Sequence, residues 1–178
     1  LVREQRTADG GIVGTGTDIT AVKQAERQMY DAIESISDGF VLYDKDERLI
    51  LCNSRYREFY REIEDLLVPG ARFSDILKAS LQRDMVGMDS TFLDDWLNER
   101  LELFRRGSGS TETRLATGRW VRNTERRTSD GGIVGIRTDI TALKEQQEIL
   151  HRNIADLEAA KRQVEQQSFH MRELADRY

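Results

Sequence analysis

The sequence RTSDGGIVGIRTDIT, from Arg127 to Thr141, decides the fold of this chain. Its centre, Asp130 to Gly132, predicts a tight turn, because glycine adopts the positive φ that such turns need. β-Compatible residues lie on both sides, so we expect antiparallel strands over 120–128 and 133–138. The Asp and Thr side chains at the end of the stretch can accept hydrogen bonds from the first N–H groups of a helix. The stretch therefore predicts a hairpin that continues directly into a helix.

Nearly the same stretch occurs a second time, near the start of the chain. Residues Arg6 to Lys23 match Arg127 to Lys144 at a constant offset of 121 residues. A period of this length is typical of one domain in a tandem array. We therefore divide the chain into the C-terminal hairpin of a preceding copy, a linker helix, a complete domain and a departing helix, over residues 1–20, 21–36, 37–141 and 142–178.

A second hairpin is predicted where the complete domain begins. Phe40 to Tyr43 and Leu49 to Cys52 are short β-compatible runs, and Asn53 is suited to cap the helix that follows. Together with Asp139-Ile140-Thr141 at the domain exit, this pattern resembles the PAS sensor module, from Ile36 to Thr141. The resemblance implies an α+β PAS fold, which is a five-stranded antiparallel sheet with flanking helices. The long N- and C-terminal helices are similar to the coiled-coil linkers that join tandem PAS modules to a histidine kinase or a nucleotide cyclase.

Three helices and one further strand are expected between the two hairpins of the domain. A short helix comes first, a second begins at Ser74, and a longer one over 91–106 has a wide apolar face. We expect this longer helix to pack against the sheet. The third strand is predicted over 111–115, and the fourth strand is the first arm of the hairpin described above.

Two groups of residues are candidates for a ligand pocket. Tyr56, Phe59 and Tyr60 share one side of the short helix at i, i+3, i+4 spacing, a pattern that usually indicates core. The resemblance implies that this helix also lines the PAS cavity, so the three rings are candidates for that role. The remaining pocket candidates lie on the fourth strand and are Trp120, Arg122 and Asn123.

The fourth strand is unusually polar on both faces. Half-buried antiparallel strands normally alternate apolar with polar residues. Here one side carries Trp120, Arg122, Thr124 and Arg126, and the other carries Val121, Asn123, Glu125 and Arg127. In one interpretation, Arg122 or Asn123 enters a pocket and holds a polar or anionic ligand. In the other, which we favour, one face is solvated and its arginines pair with carboxylates such as Glu112 and Glu125.

Asp139, Ile140 and Thr141 are interpreted as a signal-transfer joint. This tripeptide connects the last strand to the following helix, and both copies of the repeat contain it. In PAS relatives the Asp of the joint pairs with a basic residue on the sheet. The resemblance therefore implies an ion pair for Asp139, with Arg122 and Arg137 as the candidate partners.

Apolar residues recur every seven positions on both terminal helices, which is the pattern of a coiled-coil seam. The predicted dimer seam consists of Val22, Met29, Ile36, Leu143, Leu150, Leu157, Val164 and Met171. The second core position of the final helix is mostly polar, which predicts a marginal, parallel, two-stranded coiled coil. Two alternatives stay open: the first helix packs on its own domain, or the final helix frays without a downstream domain.

Composition excludes several classes of protein. The net charge is −5 and charges of both signs are interspersed, so we expect no nucleic acid or membrane partner. The single cysteine fits a reducing compartment. No apolar run reaches the roughly 20 residues of a membrane span, and we expect no signal peptide. We therefore expect a cytoplasmic protein.

No cofactor or metal is expected. Both histidines, His151 and His170, lie on the final helix, where neither can ligate a haem inside the domain. Cys52 does not match the flavin-adduct motif of light-sensing PAS relatives, and no cluster of residues has metal-ligand spacing. Neither a phosphate loop nor a nucleophilic catalytic arrangement occurs. An unidentified small ligand remains as an option.

The resemblance implies a non-catalytic sensory and dimerisation module of a bacterial sensor histidine kinase in two-component signal transduction. Its expected partners are a second copy of the chain, an upstream PAS domain and a downstream kinase domain that carries out protein-histidine phosphotransfer. Two alternatives stay open. The module regulates a diguanylate cyclase or phosphodiesterase, or it is a structural dimerisation spacer that binds no ligand.

Overall fold

The computed structural model describes residues 2–6, 9–83, 85 and 93–175. A hairpin and a helix come first: β1 (Val2–Arg6), β2 (Ile12–Gly16) and α1 (Thr20–Glu34). The domain begins with β3 (Gly39–Tyr43), β4 (Leu49–Cys52), α2 (Ser54–Phe59), a 3₁₀ helix (Arg61–Leu66), α3 (Phe73–Gln82) and α4 (Leu93–Arg106). It ends with β5 (Ser108–Arg114), β6 (Trp120–Arg127) and β7 (Ile133–Asp139), and α5 (Thr141–Ala175) follows.

Strands β3 to β7 form one antiparallel sheet with the order β4-β3-β7-β6-β5. β6 and β7 are joined by the turn that contains Gly131, whose φ of +90° favours glycine. β3 pairs with β7 in the middle of the sheet, so the first and last strands of the domain are neighbours. The predicted five-stranded antiparallel sheet with flanking helices is confirmed.

The core lies between one face of this sheet and helices α2, α3 and α4. Tyr43 of β3 meets Phe73 of α3 and Phe104 of α4 edge to face, with ring centroids 5.4 and 5.2 Å away. The two phenylalanine rings stack with their centroids 3.7 Å apart. Each of these rings is buried and contributes a large apolar area to the core. Aromatic side chains therefore fill the space between the sheet and the helices.

The first hairpin repeats the geometry of the last. Glu4 of β1 pairs with Gly14 of β2, just as Glu125 of β6 pairs with Gly135 of β7. Every other residue pair of the first hairpin also has its counterpart at the same offset of 121 residues. The repeated sequence therefore forms the same local structure twice.

The two terminal helices leave their apolar residues exposed. Val22 and Met29 on α1 and Leu150 and Leu157 on α5 are all more than half exposed. None of the described residues of α1 is buried, and its contact with the domain lies near its C-terminal end, where Asn53 Nδ2 donates to the Ile33 carbonyl. The coiled coil stays a prediction. Among the described helices, none is both long enough and apolar enough to cross a membrane.

Several element boundaries differ by a few residues from the sequence predictions. α3 begins at Phe73 instead of Ser74. β5 begins at Ser108 instead of Thr111, because β6 is long enough for Arg126 to pair with Ser108. Residues 91 and 92, predicted to open α4, lie outside the described residues.

Candidate signal-transfer site

The six pocket candidates lie on two sides of the sheet. Those between the sheet and the helices are Tyr56, Phe59, Tyr60 and Asn123. Trp120 and Arg122 lie on the outer face, as the alternation of side chains along β6 requires. The structure therefore does not bring the six residues together in one pocket. A ligand role for any of them stays a prediction.

The inner face of β6 and β7 carries a buried cluster of charges, the Arg100–Glu125–Arg137 cluster. Glu125 is 4% exposed and lies between the guanidinium groups of Arg137 on β7 and Arg100 on α4, which are also buried. Arg137 Nη2 donates to Glu125 Oε1 at 3.0 Å, and Arg100 donates to both carboxylate oxygens, with 3.1 Å to Oε2. Burial favours the neutral acid, but the two arginines prevail and lower the pKa of Glu125. The carboxylate is therefore ionised at neutral pH.

Arg137 is accommodated in the core by its neighbours. Its Nε donates to the Tyr60 hydroxyl at 3.3 Å, and its Nη1 donates to the Ile136 carbonyl at 3.2 Å. The guanidinium carbon lies 5.7 Å from the centre of the Tyr56 ring. Gly135 leaves the necessary space, because a Cβ at this position would come within 3.0 Å of Arg137 Nη1. The position of this charge is therefore determined by at least three elements of the domain.

The structure supports one half of the favoured interpretation of β6 and corrects the other. Arg122 pairs with Glu112 on the outer face, with 3.1 Å between Nη2 and Oε1. Glu125 does not lie on a solvated face, because it is in the core and its arginines come from α4 and β7. Periodicity along β6 cannot show this, since Arg100 lies 25 residues before Glu125.

Tyr43 places a second polar group in the core. Its hydroxyl is fully buried, and no hydrogen-bond partner for it is found within the described part of the chain. Burial raises the pKa of Tyr43, and the nearby positive charge of Arg137 only partly opposes this effect. The phenol is therefore neutral across the physiological pH range.

The Asp139 carboxylate, at the end of β7, uses one oxygen to contact α5 and the other to contact Arg119. Oδ1 accepts hydrogen bonds from the backbone N–H of Thr141 at 3.0 Å and from the Thr141 hydroxyl at 2.6 Å, which satisfies the first N–H of α5. Oδ2 accepts hydrogen bonds from Nη2 and Nε of Arg119, at 2.8 and 3.1 Å. Partial burial opposes ionisation, but the bonds from Thr141 and Arg119 lower the pKa of Asp139 to about 2. One carboxylate thus holds both the helix and the sheet.

The partner of Asp139 is Arg119, and the two candidates that the resemblance implied are wrong. Arg122 lies on the outer face of β6, and Arg137 is held inside the core. Arg119 directly precedes β6, and Val121 of β6 pairs with Asp139. The antiparallel register of β6 and β7 is the signal that points to Arg119, because it places the start of β6 beside the end of β7.

The rest of the joint is attached to the same end of β6. The Ile140 N–H donates to the Trp120 carbonyl, and the Trp120 N–H donates to the Thr141 hydroxyl, each at 2.9 Å. On the outer face, Lys144 Nζ lies 5.0 Å from the centre of the Trp120 ring and 2.5 Å from Glu112 Oε2. The first turn of α5 is therefore attached to the β5–β6 end of the sheet through both faces.

Comparison with known sequences places the chain in a family. Residues 33–148 match the PAS fold family, and this match covers more than half of the chain. The chain therefore belongs to the PAS fold family. The "Non-motile and phage-resistance protein" of Caulobacter vibrioides is 32% identical over 177 residues, which cover 94% of this chain. The chain spans only 19% of the length of that relative.

Solved structures that resemble this chain share little sequence with it. A domain of a sensory box sensor histidine kinase/response regulator from Geobacter sulfurreducens is 15% identical, with a TM-score of 0.40, and covers 68% of this chain and 100% of its own. The PAS domain of BvgS from Bordetella pertussis is 19% identical, with a TM-score of 0.41, and covers 75% of this chain and 98% of its own. Likeness at this level supports no conclusion about ligands or partners.

Proposed function

We propose that this chain is a sensory and dimerisation PAS module that passes a signal through α5 to a histidine kinase domain of the same protein, in a two-component pathway. The observation that carries the proposal is the double attachment of Asp139, which binds Arg119 with one oxygen and Thr141 with the other. Any shift between the sheet and α5 must change at least one of these contacts. The domain itself is not catalytic in this proposal.

The mechanism is a shift between two populations. In one state Asp139 holds both the sheet and the first turn of α5, and in the other the Arg119 contact is broken and α5 rotates or tilts. A signal can shift such an equilibrium only by the difference in its affinity for the two states. Small changes at the joint are transmitted because packed interfaces have discrete arrangements.

The proposal places the module in a cytoplasmic homodimer, with a further PAS domain upstream. The apolar residues of the predicted seam that are exposed on α1 and α5 support a parallel coiled coil with a second copy of the chain. The matching register of the first and last hairpins supports an upstream PAS copy. Neither a haem nor a flavin is part of the proposed mechanism.

A second candidate function is a structural spacer that dimerises without binding a ligand. It is favoured because Tyr43, Phe73 and Phe104 are buried, pack against one another and fill the space between the sheet and the helices. In this case the module transmits a movement that begins in the upstream helix. The joint at Asp139 performs the same task in both candidates.

The proposal is tested by the Asp139→Ala variant of the full-length protein, with autophosphorylation from labelled ATP as the measurement. Coupling between two sites in a protein is typically worth about 1–3 kcal/mol, which corresponds to roughly 5- to 150-fold. We expect the kinase activity of the variant to differ at least about fivefold from that of the wild type. The circular dichroism spectrum of the domain is expected to be unchanged.

The matched control is Asp130→Ala, at the opposite end of the β6–β7 hairpin. The Asp130 carboxylate also accepts hydrogen bonds from a threonine hydroxyl and a backbone N–H, but it has no contact with α5. This variant should leave autophosphorylation unchanged. Wild-type activity in Asp139→Ala, or an equal loss in both variants, would show that the joint does not carry the signal.

A further inference from the structure

The two edges of the five-stranded sheet differ in what covers them. β4 forms one edge, and the loop after the 3₁₀ helix pairs with it: the Leu49 N–H donates to the Ala71 carbonyl at 2.8 Å, and the Gly70 N–H donates to the Leu49 carbonyl at 2.7 Å. β5 forms the other edge, and no backbone of the described residues pairs with its outer side over 108–114. An uncovered edge offers free backbone donors and acceptors to another extended chain.

Backbone hydrogen bonds at the two ends of β5 show which of its residues face the open side. The Arg127 N–H donates to the Gly107 carbonyl at 3.1 Å, and the Leu115 N–H donates to the Arg119 carbonyl at 2.8 Å. The odd-numbered residues of β5 therefore face β6, because the direction of the backbone groups alternates along an antiparallel strand. The residues that direct their N–H and C=O groups to the open side are Ser110, Glu112 and Arg114.

The geometry of β5 suits the addition of a sixth strand. The next even-numbered residue, Ala116, already donates its N–H to the Met85 carbonyl at 2.8 Å, outside the sheet. β5 contains neither proline nor lysine, and its register with β6 is continuous, so three common obstacles to edge pairing are missing. Gly109 has a φ of +121°, so the regular part of the open edge is 110–114.

A groove of about 180 Å³ lies beside this edge, between β5 and α4. It is lined by residues 111–113 of β5 and by four residues of α4, which are Trp96, Glu99, Arg100 and Leu103. The four helix residues recur at i, i+3, i+4 and i+7, so they share one side of α4. A strand added to β5 would place every second side chain in this groove. In such complexes the main-chain hydrogen bonds supply affinity, and pockets for alternate side chains supply specificity.

The charges in the groove favour a basic segment. Arg100 is 6% exposed and bound to Glu125, and the excess positive charge of their cluster lies deeper, on Arg137, which is 1% exposed. Of the two carboxylates in the lining, Glu112 is already paired with two cations at the surface. Glu99 is exposed, and its carboxylate has no ion pair with any residue that the structure describes. The free charge at the rim of the groove is therefore negative.

We propose that the β5 edge and the α4 groove form a docking site for an extended segment of a partner protein, which adds a sixth, antiparallel strand to the sheet. The segment carries a lysine or arginine between two apolar residues on the face that enters the groove. On α4, Glu99 lies between Trp96 and Leu103, which are about 10 Å apart along the helix axis. Residues i and i+4 of a strand share one face and lie about 13 Å apart. Apolar residues at i and i+4 therefore reach Trp96 and Leu103, and a basic residue at i+2 reaches Glu99.

The test uses the ¹⁵N-labelled 178-residue chain and the peptide acetyl-Thr-Val-Thr-Lys-Thr-Val-Thr-amide, observed by amide shifts and hydrogen exchange in NMR. Near saturation, exchange should slow about tenfold at the amides of Ser110, Glu112 and Arg114, and less at Thr111 and Thr113, which already face β6. Absence of saturable shifts, or binding without this alternation, would overturn the docking site. Protection of the three even-numbered amides before peptide is added would also overturn it, because a second copy of the chain would then occupy the edge.

Two methylated peptides test the backbone pairing without any change to the protein. In an antiparallel pair, the threonines of the peptide direct their N–H groups to β5, whereas the lysine directs its N–H away from it. N-methylation of the threonine after the lysine should therefore weaken binding about tenfold or more, and N-methylation of the lysine should change it less than about twofold. On the protein side, Ser110→Pro removes one outward N–H that β6 does not use, and it should weaken binding to a similar extent. Equal binding of the two methylated peptides would contradict strand addition.

The preference for a basic segment is tested with Glu99→Lys. This variant should bind the peptide about fivefold more weakly or worse, because the free carboxylate at the rim is replaced by a like charge. The matched control is Glu102→Lys, which makes the same charge change at an exposed position of α4 outside the groove lining. It should change binding less than about twofold at physiological salt, where separated surface charges are largely screened. Equal losses in the two variants would show that Glu99 does not select the basic residue.

Discussion

Glu125 illustrates at the scale of a single residue how this domain holds charge in its core. Its carboxylate is paired with two guanidinium groups, so the buried cluster carries one excess positive charge. Buried ion pairs contribute little net stability, because desolvation offsets their attraction, but removal of one partner leaves an uncompensated buried charge. The main effect of removing Glu125 would therefore come from the buried arginines that lose their counter-ion.

Glu125→Gln should destabilise the domain by about 3–5 kcal/mol, because it removes the only negative charge between Arg100 and Arg137. The measurement is the free energy of unfolding from urea denaturation. The control is Glu112→Gln, whose carboxylate pairs with Arg122 and Lys144 at the surface. Ion pairs at the surface contribute little to stability, so the loss in this control should be clearly smaller. Similar losses in the two variants would contradict the role of the buried cluster.

At the scale of secondary structure, the Asn53 side chain connects three elements through its hydrogen bonds. Its Oδ1 accepts the backbone N–H groups of Phe40 on β3 and Tyr56 on α2, at 2.8 and 2.9 Å. Its Nδ2 donates to the carbonyls of Ile33 on α1 and Asp38, at 3.2 and 2.9 Å. The fully buried amide thus uses its whole hydrogen-bonding capacity to join the incoming helix to the sheet and to α2.

Asn53→Asp should cost about 3 kcal/mol of unfolding free energy, although the side chain keeps its size. The carboxylate cannot donate, so two carbonyl oxygens lose their partners and face a negative charge. The attachment of α1 is measured by amide hydrogen exchange at Ile36 and Gly39, which should become faster. Asn98→Asp, at an exposed position of α4, should change the unfolding free energy by no more than about 0.5 kcal/mol. Equal stability of the two variants would rule out this role for Asn53.

The long α5 helix determines the behaviour of the whole molecule. It spans 35 residues, and Leu150, Leu157 and Val164 are exposed along it in the single chain. A helix that packs against nothing is only marginally stable in water, because helices in proteins gain most of their stability from packing of an apolar face. A second copy of the chain can supply that packing through the seven-residue repeat.

We predict that the chain is a dimer in sedimentation velocity and that Leu157→Asp shifts it to the monomer at the same concentration. A charge at a seam position is unfavourable because it must be desolvated beside its own copy in the partner. Ala155→Asp introduces the same charge away from the predicted seam and should leave the dimer intact. A wild-type chain that remained monomeric at high concentration would refute the predicted dimer.

Some of the candidate site could be predicted from local patterns, and some could not. Asp139, Ile140 and Thr141 were identifiable because a helix start needs acceptors within two residues. Tyr56 and Phe59 were identifiable as inward-facing because helical periodicity places them on one side. The outer-face positions of Trp120 and Arg122 were not, since alternation along a strand that is polar on both sides does not say which side is buried.

The sequence by itself determined the repeated hairpin, the strand-to-helix joint and the order of the elements. These features depend on turns, caps and periodicities that extend over only a few neighbouring residues. Only the tertiary structure decided that Glu125 faces the core with Arg100, and that Arg119 is the partner of Asp139. Such pairs form between residues that are distant in the chain, and their geometry follows from strand register and helix packing. Those are set by burial summed over the whole core, which no short stretch of sequence contains.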